Sequence, residues 1–440
     1  MSRRASPRGG PRDPVRRPEP EPSFADGDRE TARADGIFSA PWRLLAVPSA
    51  MTWIRTGLLA AGLVCVLTGL LPAAEAAASM RRIAPLLLFL GSVIVLATLA
   101  RHAQVFDVIA TRLAIIGRGG YPVLFLLCVG FATVTTVALN LDTTAVLLTP
   151  VFLALAPKAR IAALPLAMTT LWLANTASLL LPVSNLTNLL AADRVALAAP
   201  AFAARMWAPQ LASLAATMVC LWLFYWRRKR RGEERYVPPD PVRLEEPRRR
   251  ALFWITGGAC LVFVAAIPLV RDEIGYAAAA AALIAVVAFA FLSPGKLKLT
   301  LIPWQLLVFV TGLFLVVPTL SRYGLGHVMT ALVGTGGGAP GALRASAAGA
   351  VLSNVVNNLP AYTAGEAVVS TGDRDQLLAL LIGTNVAAVV TPWASLATLL
   401  CLESCRRHGL RIRLGRFVRH GSVLAVVGLG ASIAALWLTR

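Results

Sequence analysis

A chain of 440 residues that is 57% hydrophobic and only 15% charged, with mean hydropathy +0.68, carries more apolar surface than a soluble fold of its length can bury. Most of that surface must face lipid. A net charge of +20 would suit nucleic acid, but the arginines stand in loops between apolar runs, where the positive-inside rule accounts for them, so no nucleic-acid partner is expected.

Residues 1–42 are rich in Arg, Pro, Asp and Glu and cannot bury enough surface to offset their ordering entropy, so they read as a disordered cytoplasmic tail. Runs of roughly 17 to 21 apolar residues, the length that crosses about 30 Å of hydrocarbon, follow at about 55–73, 83–100, 121–139, 161–181, 209–226, 251–270, 275–293, 300–319, 343–359, 376–391 and 421–438. The expected fold class is therefore an all-α polytopic membrane protein of about 11 transmembrane helices, with shorter hairpin pieces between them. No n-region, h-region and cleavage-site pattern precedes the first run, which is read as a retained helix. The expected divisions are the tail 1–42, a first membrane repeat 43–226, a basic cytoplasmic loop 227–250 and a second, inverted repeat 251–440.

The first polar island lies at 135–150 and contains Asn140, Asp142, Thr143 and Thr144 before Pro150. Polar groups at membrane depth are costly and usually functional. Asp142 is the most informative of them: an acid there must be paired, hydrated or protonated, which suits a carrier of a coupling proton or ion. Next comes Asn175, Thr176 and Ser178, then Pro182, Ser184, Asn185 and Asn188, an apolar segment broken at mid-length by proline. The basic stretch from Arg227 to Arg231 places the central loop on the cytoplasmic side, as Lys296 and Lys298 do for a later loop.

The second half repeats the pattern. Asn354, Asn357 and Asn358 precede Pro360, and Thr384, Asn385, Thr391, Pro392, Ser395 and Thr398 form a second proline-broken segment. In register, Asn175 meets Asn385, Pro182 meets Pro392 and Asn188 meets Thr398. The first copy leads into a nearly neutral stretch and the second into residues 406–419, which hold six arginines and no acid, so the copies should run in opposite directions. Ordinary interhelical hydrogen bonding uses the same residue types, but paired, proline-broken polar segments are what a secondary transporter needs at its substrate site. Glu366, close to Asp373, reads as a solvated loop acid, and Glu403 as a partner of the arginines beside it. Six cysteines at 65, 128, 220, 260, 401 and 405 lack zinc spacing and predict neither a disulfide framework nor a metal site; Cys401 and Cys405 share a helix face and read as small core residues. No Walker-type sequence occurs, so the chain is not expected to be an enzyme, and energy must come from an ion gradient, the membrane potential or a separate soluble ATPase.

At these residues the chain resembles the arsenical pump membrane proteins, the arsenite and antimonite efflux permeases of the ion transporter superfamily, which also holds sodium-coupled dicarboxylate carriers and sodium/proton antiporters. The resemblance covers residues 50–440. It rests on residues 141–150, 174–178 with 182–188, 353–360 and 391–400. It implies two inverted repeats, each with a re-entrant hairpin and a broken helix, and an elevator-like movement of a transport domain in the inner (plasma) membrane. Asp142, Thr143 and Thr144 would line the first hairpin tip, residues 175–188 the first broken helix, Asn357 and Asn358 the second hairpin, and residues 385–398 the second broken helix. The implied substrate is a small oxyanion or metalloid, with H+ or Na+ as coupling ion and no cofactor. The resemblance admits a soluble ATPase and a homodimer. Where that family usually has Asn-Asp this chain has Leu141-Asp142, and Trp393 stands in the second break, where it would narrow the site. Anion or carboxylate transport and sodium/proton exchange are the alternatives.

Overall fold

A chain that must satisfy its own backbone hydrogen bonds in lipid has the helix as its simplest solution, and every described element is helical. The computed structural model describes residues 48–227, 235–267, 269, 274–334 and 336–439. The expected tail and the arginine cluster at 228–231 lie outside the described residues. From Arg55 onward the described residues form one compact unit.

The first series of helices is α1 (Pro48–Leu67), α2 (Ala73–His102), α3 (Val105–Ile116), α4 (Tyr121–Leu139), α5 (Leu141–Lys158), α6 (Ala163–Thr176), α7 (Leu186–Arg194) and α8 (Ala199–Leu221, prolonged by a π-turn to Trp226). After α9 (Pro247–Ala266) come α10 (Ile274–Leu292), α11 (Trp304–Leu320), α12 (Gly326–Val333), α13 (Gly338–Val356), α14 (Asn358–Glu366), α15 (Arg374–Val386), α16 (Leu396–Arg407) and α17 (Leu414–Leu438). The order α1–α8 recurs in α10–α17. In each set two helices and a short one precede a tight hairpin, a helix interrupted at mid-length and a closing helix.

Among the described residues eight helices are long and apolar enough to cross a membrane, fewer than the eleven runs in the sequence. The runs at 161–181 and 376–391 belong to α6 and α15, which stop at 14 and 13 residues where the backbone turns out of the helix. The run at 55–73 ends with α1 at Leu67, and that at 343–359 is cut at Val356 by a turn. Conversely α5, read only as part of a hairpin, is a full 18-residue apolar helix.

The interrupted helices form the centre. Every residue from Pro165 to Thr176 of α6 and from Gln376 to Asn385 of α15 is buried. By contrast α9 and α10 leave Trp254, Leu261, Val262 and Phe291 65% to 84% exposed, an apolar surface that only lipid can cover favourably. Two loops show which ends lie together. Tyr236, in the connection between the halves, donates its N–H to Gly119 O and its hydroxyl to Ala114 O (2.6 Å), while Val237 N–H donates to Ala159 O (3.0 Å). Both open ends of the α4–α5 hairpin therefore meet that connection. The open end of the α13–α14 hairpin lies elsewhere: Glu366 is ion-paired to Arg82 near the start of α2, and Arg82 also binds Asp193 at the end of α7.

Close approach of the central helices depends on glycine. A Cβ at Gly383 of α15 would sit 2.1 Å from Ser346 O of α13, against backbone that cannot swing aside. Gly383→Val should lower unfolding stability by about 1–3 kcal/mol, seen as a drop in the midpoint of thermal unfolding of the detergent-solubilised protein; an unchanged midpoint would show that α13 and α15 separate freely.

Candidate functional site

Interrupting a helix in an apolar interior frees backbone groups that water cannot satisfy. In the first break, residues 177–185, Gln210 of α8 takes them up: its Oε1 accepts from Leu179 N–H (2.8 Å) and its Nε2 donates to Thr176 O (3.3 Å). Asn188 Nδ2 adds bonds to Ser178 O (2.6 Å) and Leu181 O (3.0 Å). In the second break, residues 387–395, Asn354 of α13 has the same task, accepting from Thr391 N–H (3.0 Å) and donating to Ala387 O (2.8 Å). A side-chain amide suits both places because it offers a donor and an acceptor together.

The two interrupted helices then grip each other. Asn175 in the last turn of α6 donates Nδ2 to Thr398 Oγ1 of α16 (3.1 Å). Asn385 in the last turn of α15 donates to Asn188 Oδ1 (3.0 Å) and accepts from Thr187 Oγ1 (2.9 Å), both on α7. The register that pairs Asn175 with Asn385 pairs Asn188 with Thr398, so these contacts are equivalent in the two halves. None of the bonds made by these five residues involves lysine or arginine.

The hairpin tips abut this crossing. Asn140 and Asn357 occupy them at φ +84° and +121°, a region asparagine tolerates when its side chain bonds locally. Asn140 Oδ1 accepts from Thr143 N–H (2.9 Å) and Asn357 Oδ1 from Leu359 N–H (3.3 Å), capping α5 and α14. The first tip meets the first break through Ser184 Oγ donating to Val137 O (3.0 Å), and the second meets the second through Asn358 N–H donating to Ala394 O (2.7 Å). Five buried polar atoms around this region have no hydrogen-bond partner: Asn140 Nδ2, Thr143 Oγ1, Asn175 Oδ1, Asn185 Nδ2 and Ser395 Oγ. A cavity of about 510 Å³ borders it, lined by Asp142 and Thr143, by Leu396 and Leu400 of α16, and by residues 300–306, with one acid and no base.

The family profile described as "CitMHS: Citrate transporter" matches residues 46–383, most of the chain. The chain belongs to this family. Among curated proteins the CitMHS chain is similar to arsenical pump membrane proteins, at 28% identity over 373 residues for one from Escherichia coli and 28% over 369 for one from Yersinia enterocolitica; each comparison spans 79% of this chain and 84% of the relative. Among solved structures it is similar to the YdaH transporter of Alcanivorax borkumensis, with TM-score 0.50, 13% identity, and coverage of 88% of this chain and 97% of that one. That likeness concerns the fold. The CitMHS chain is a secondary transporter and not an enzyme, a multi-pass protein of the plasma membrane.

Of the candidate substrate- and ion-binding residues singled out in the sequence, all but Asn354, Asn357 and Thr391 are buried. They divide by use. Asn175, Asn188, Asn385 and Thr398 form the crossing, and Asn140, Thr143, Asn185 and Ser395 surround it with open valences. Thr144 binds Asn140 O and Thr136 within the first tip. Thr176 is tied to Thr217 of α8, and the hydroxyls of Ser178 and Thr384 return to Asn175 O and Leu381 O. Asn354, Asn357 and Thr391 lock the second tip onto the second break, and Trp393 joins them by donating Nε1 to Asn354 O (2.8 Å). Glu403 pairs with Arg406 and Arg407, as expected.

One reading needs correction. Glu366 is no solvated loop acid: it is 3% exposed and ion-paired to Arg82 at 3.0 Å, because α14 turns its last residue inward against α2. Sequence reasoning also passed over Thr187 and Gln210. A lone glutamine at mid-span was the available signal for the second.

Asn385→Ala removes partners from both Thr187 and Asn188. It should cost about 1–2 kcal/mol, and a double-mutant cycle with Asn188→Ala, read by thermal unfolding, should be non-additive. Strict additivity would deny the bond between α15 and α7.

Proposed function

We propose that this chain exports arsenite or antimonite as the neutral trihydroxide in exchange for entering protons, so that the proton gradient and the membrane potential both act through the proton. One observation carries the reading: the crossing of the interrupted helices is built from amides and hydroxyls with no base, beside a cavity whose single charged residue is Asp142. An uncharged, hydroxyl-rich solute finds donors and acceptors there without needing a cation. Similarity to arsenical pump membrane proteins supports the same substrate. Asp142, 9% exposed at the first hairpin tip, is the proposed proton carrier, with Na+ the alternative coupling ion.

In this reading α1–α8 and α10–α17 are inverted repeats. The α4–α5 hairpin enters from the cytoplasmic face beside the central basic loop, and the α13–α14 hairpin enters from the other face. The repeats α1–α8 and α10–α17 lie within 43–226 and 251–440, joined by the loop 227–250 and α9, and the hairpins and interrupted helices shift together in an elevator-like movement. The recurring element order and the opposite placement of the hairpins' open ends support it. The second reading, carboxylate transport, is favoured by the description of the family, "Citrate transporter". It would have to bind several negative charges without a guanidinium or ammonium at the crossing.

Everted vesicles from cells expressing the chain should accumulate arsenite when a proton gradient is imposed, and Asn175→Ala should reduce that uptake about tenfold or more, the consequence of losing one hydrogen bond of about 1.4 kcal/mol. Vesicles containing folded protein that take up citrate and not arsenite would establish the second reading. Asp142→Asn should abolish gradient-driven uptake while leaving arsenite exchange at equal pH. Full gradient-driven uptake by that variant would remove Asp142 from coupling.

A further inference from the structure

The end of the molecule away from Tyr236 and Val237 holds a second cavity, of about 360 Å³, with charged residues in its wall. Its walls include Ser79 and Arg82 of α2, Phe314 and Val317 of α11, Arg194 at the end of α7 and Glu366 at the end of α14. Arg82 donates Nε to Asp193 Oδ2 and Nη1 to Glu366 Oε1, both at 3.0 Å, and Tyr362 lies buried beside Glu366. After these bonds, two buried donors of wall residues, Arg82 Nη2 and Arg194 Nε, still have no hydrogen-bond partner among the described residues, and the Glu366 carboxylate also takes the Tyr362 hydroxyl. The Glu366 side chain is only 4% exposed.

Two open donors beside a carboxylate with lone pairs to spare are complementary to a ligand that both accepts and donates. Buried donors of this kind are rarely left unsatisfied. The charge is also largely offset, since Glu366 stands in the wall with Arg82 and Arg194, and Asp193, itself exposed, binds Arg82 from beside the cavity. A multiply charged anion would meet a carboxylate at close range and gain little. A small neutral oxyacid would place oxygens against Arg82 Nη2 and Arg194 Nε and give a hydroxyl proton to Glu366 Oε2. The volume far exceeds the roughly 30 Å³ that one water occupies in the liquid, so there is room for such a solute with part of its hydration shell.

We infer that this cavity is a second binding site for the transported oxyacid, a station on the exit side. The inference rests on the arsenite reading for the identity of the solute. The walls come partly from α2 and α11 and partly from the ends of α7 and α14, so the cavity borders both α7, which carries Asn188 of the crossing, and the second hairpin.

Equilibrium dialysis of the full chain in lipid nanodiscs against arsenite, with bound arsenic counted by mass spectrometry, tests it. Wild type should bind two equivalents, Asn175→Ala one and Arg194→Gln one. Ser79→Phe, which fills the cavity from α2 without altering a charge, should lose the same equivalent as Arg194→Gln and covers the case in which that variant fails to fold. A single wild-type equivalent, removed by Asn175→Ala and untouched by both cavity variants, would overturn the second site and leave the transport reading standing. Two equivalents retained by both cavity variants would overturn it equally. Folded wild-type protein that binds no arsenite would overturn the substrate reading, and this site with it.

Discussion

Two helices stop halfway across the centre of this protein, and the backbone groups they release must be satisfied without water. The rest of the architecture follows from that requirement. Gln210 and Asn354 reach in from α8 and α13 to complete the two breaks, the hairpin tips close over them, and Asn175 and Asn385 bind the opposite helices. Neighbouring helices must come close enough for side-chain amides to arrive, which explains the absence of side chains at Gly383 and Gly421, where an added Cβ would lie 2.1 and 2.3 Å from backbone oxygens. A transporter site is thus the place where irregular backbone is tolerated, because the surrounding helices have been fitted to satisfy it.

Much of this was legible in the sequence. Proline at 182 and 392, with asparagines at matching offsets, announced two broken helices, because proline removes a donor and asparagine at depth requires a partner. The pairing of Asn175 with Thr398 was not legible, since it joins residues of different halves whose distance no local pattern encodes. Nor was the division among the polar residues. Thr143 and Thr144 are neighbours of the same type, yet one hydroxyl is committed within the hairpin tip and the other is open. Only the helical rotation between them decides that. Glu366 was misplaced for a related reason: in sequence it stands close to Asp373 and a loop, whereas its neighbour in space is Arg82.

The family match and the relatives describe different cargoes, citrate and arsenicals, on one scaffold. The structure makes that plausible in physical terms. The elements that build the fold are the helices, the amides that complete the breaks and the glycines at the contacts. The atoms left open around the crossing number only a few among the described residues, and under the proposed reading changing two or three of them would alter what is recognised without disturbing the bonds that hold the breaks.

The two halves have also diverged in what they still contribute. Asn385 uses both its polar atoms on α7, while its counterpart Asn175 keeps Oδ1 open. Two positions that match in sequence are therefore used unequally: Asn385 is spent as a rivet between helices, while Asn175 holds one atom in reserve. Under the transport reading proposed above, a symmetric scaffold would then carry an asymmetric site, with a fixed jaw on one side and an available one on the other.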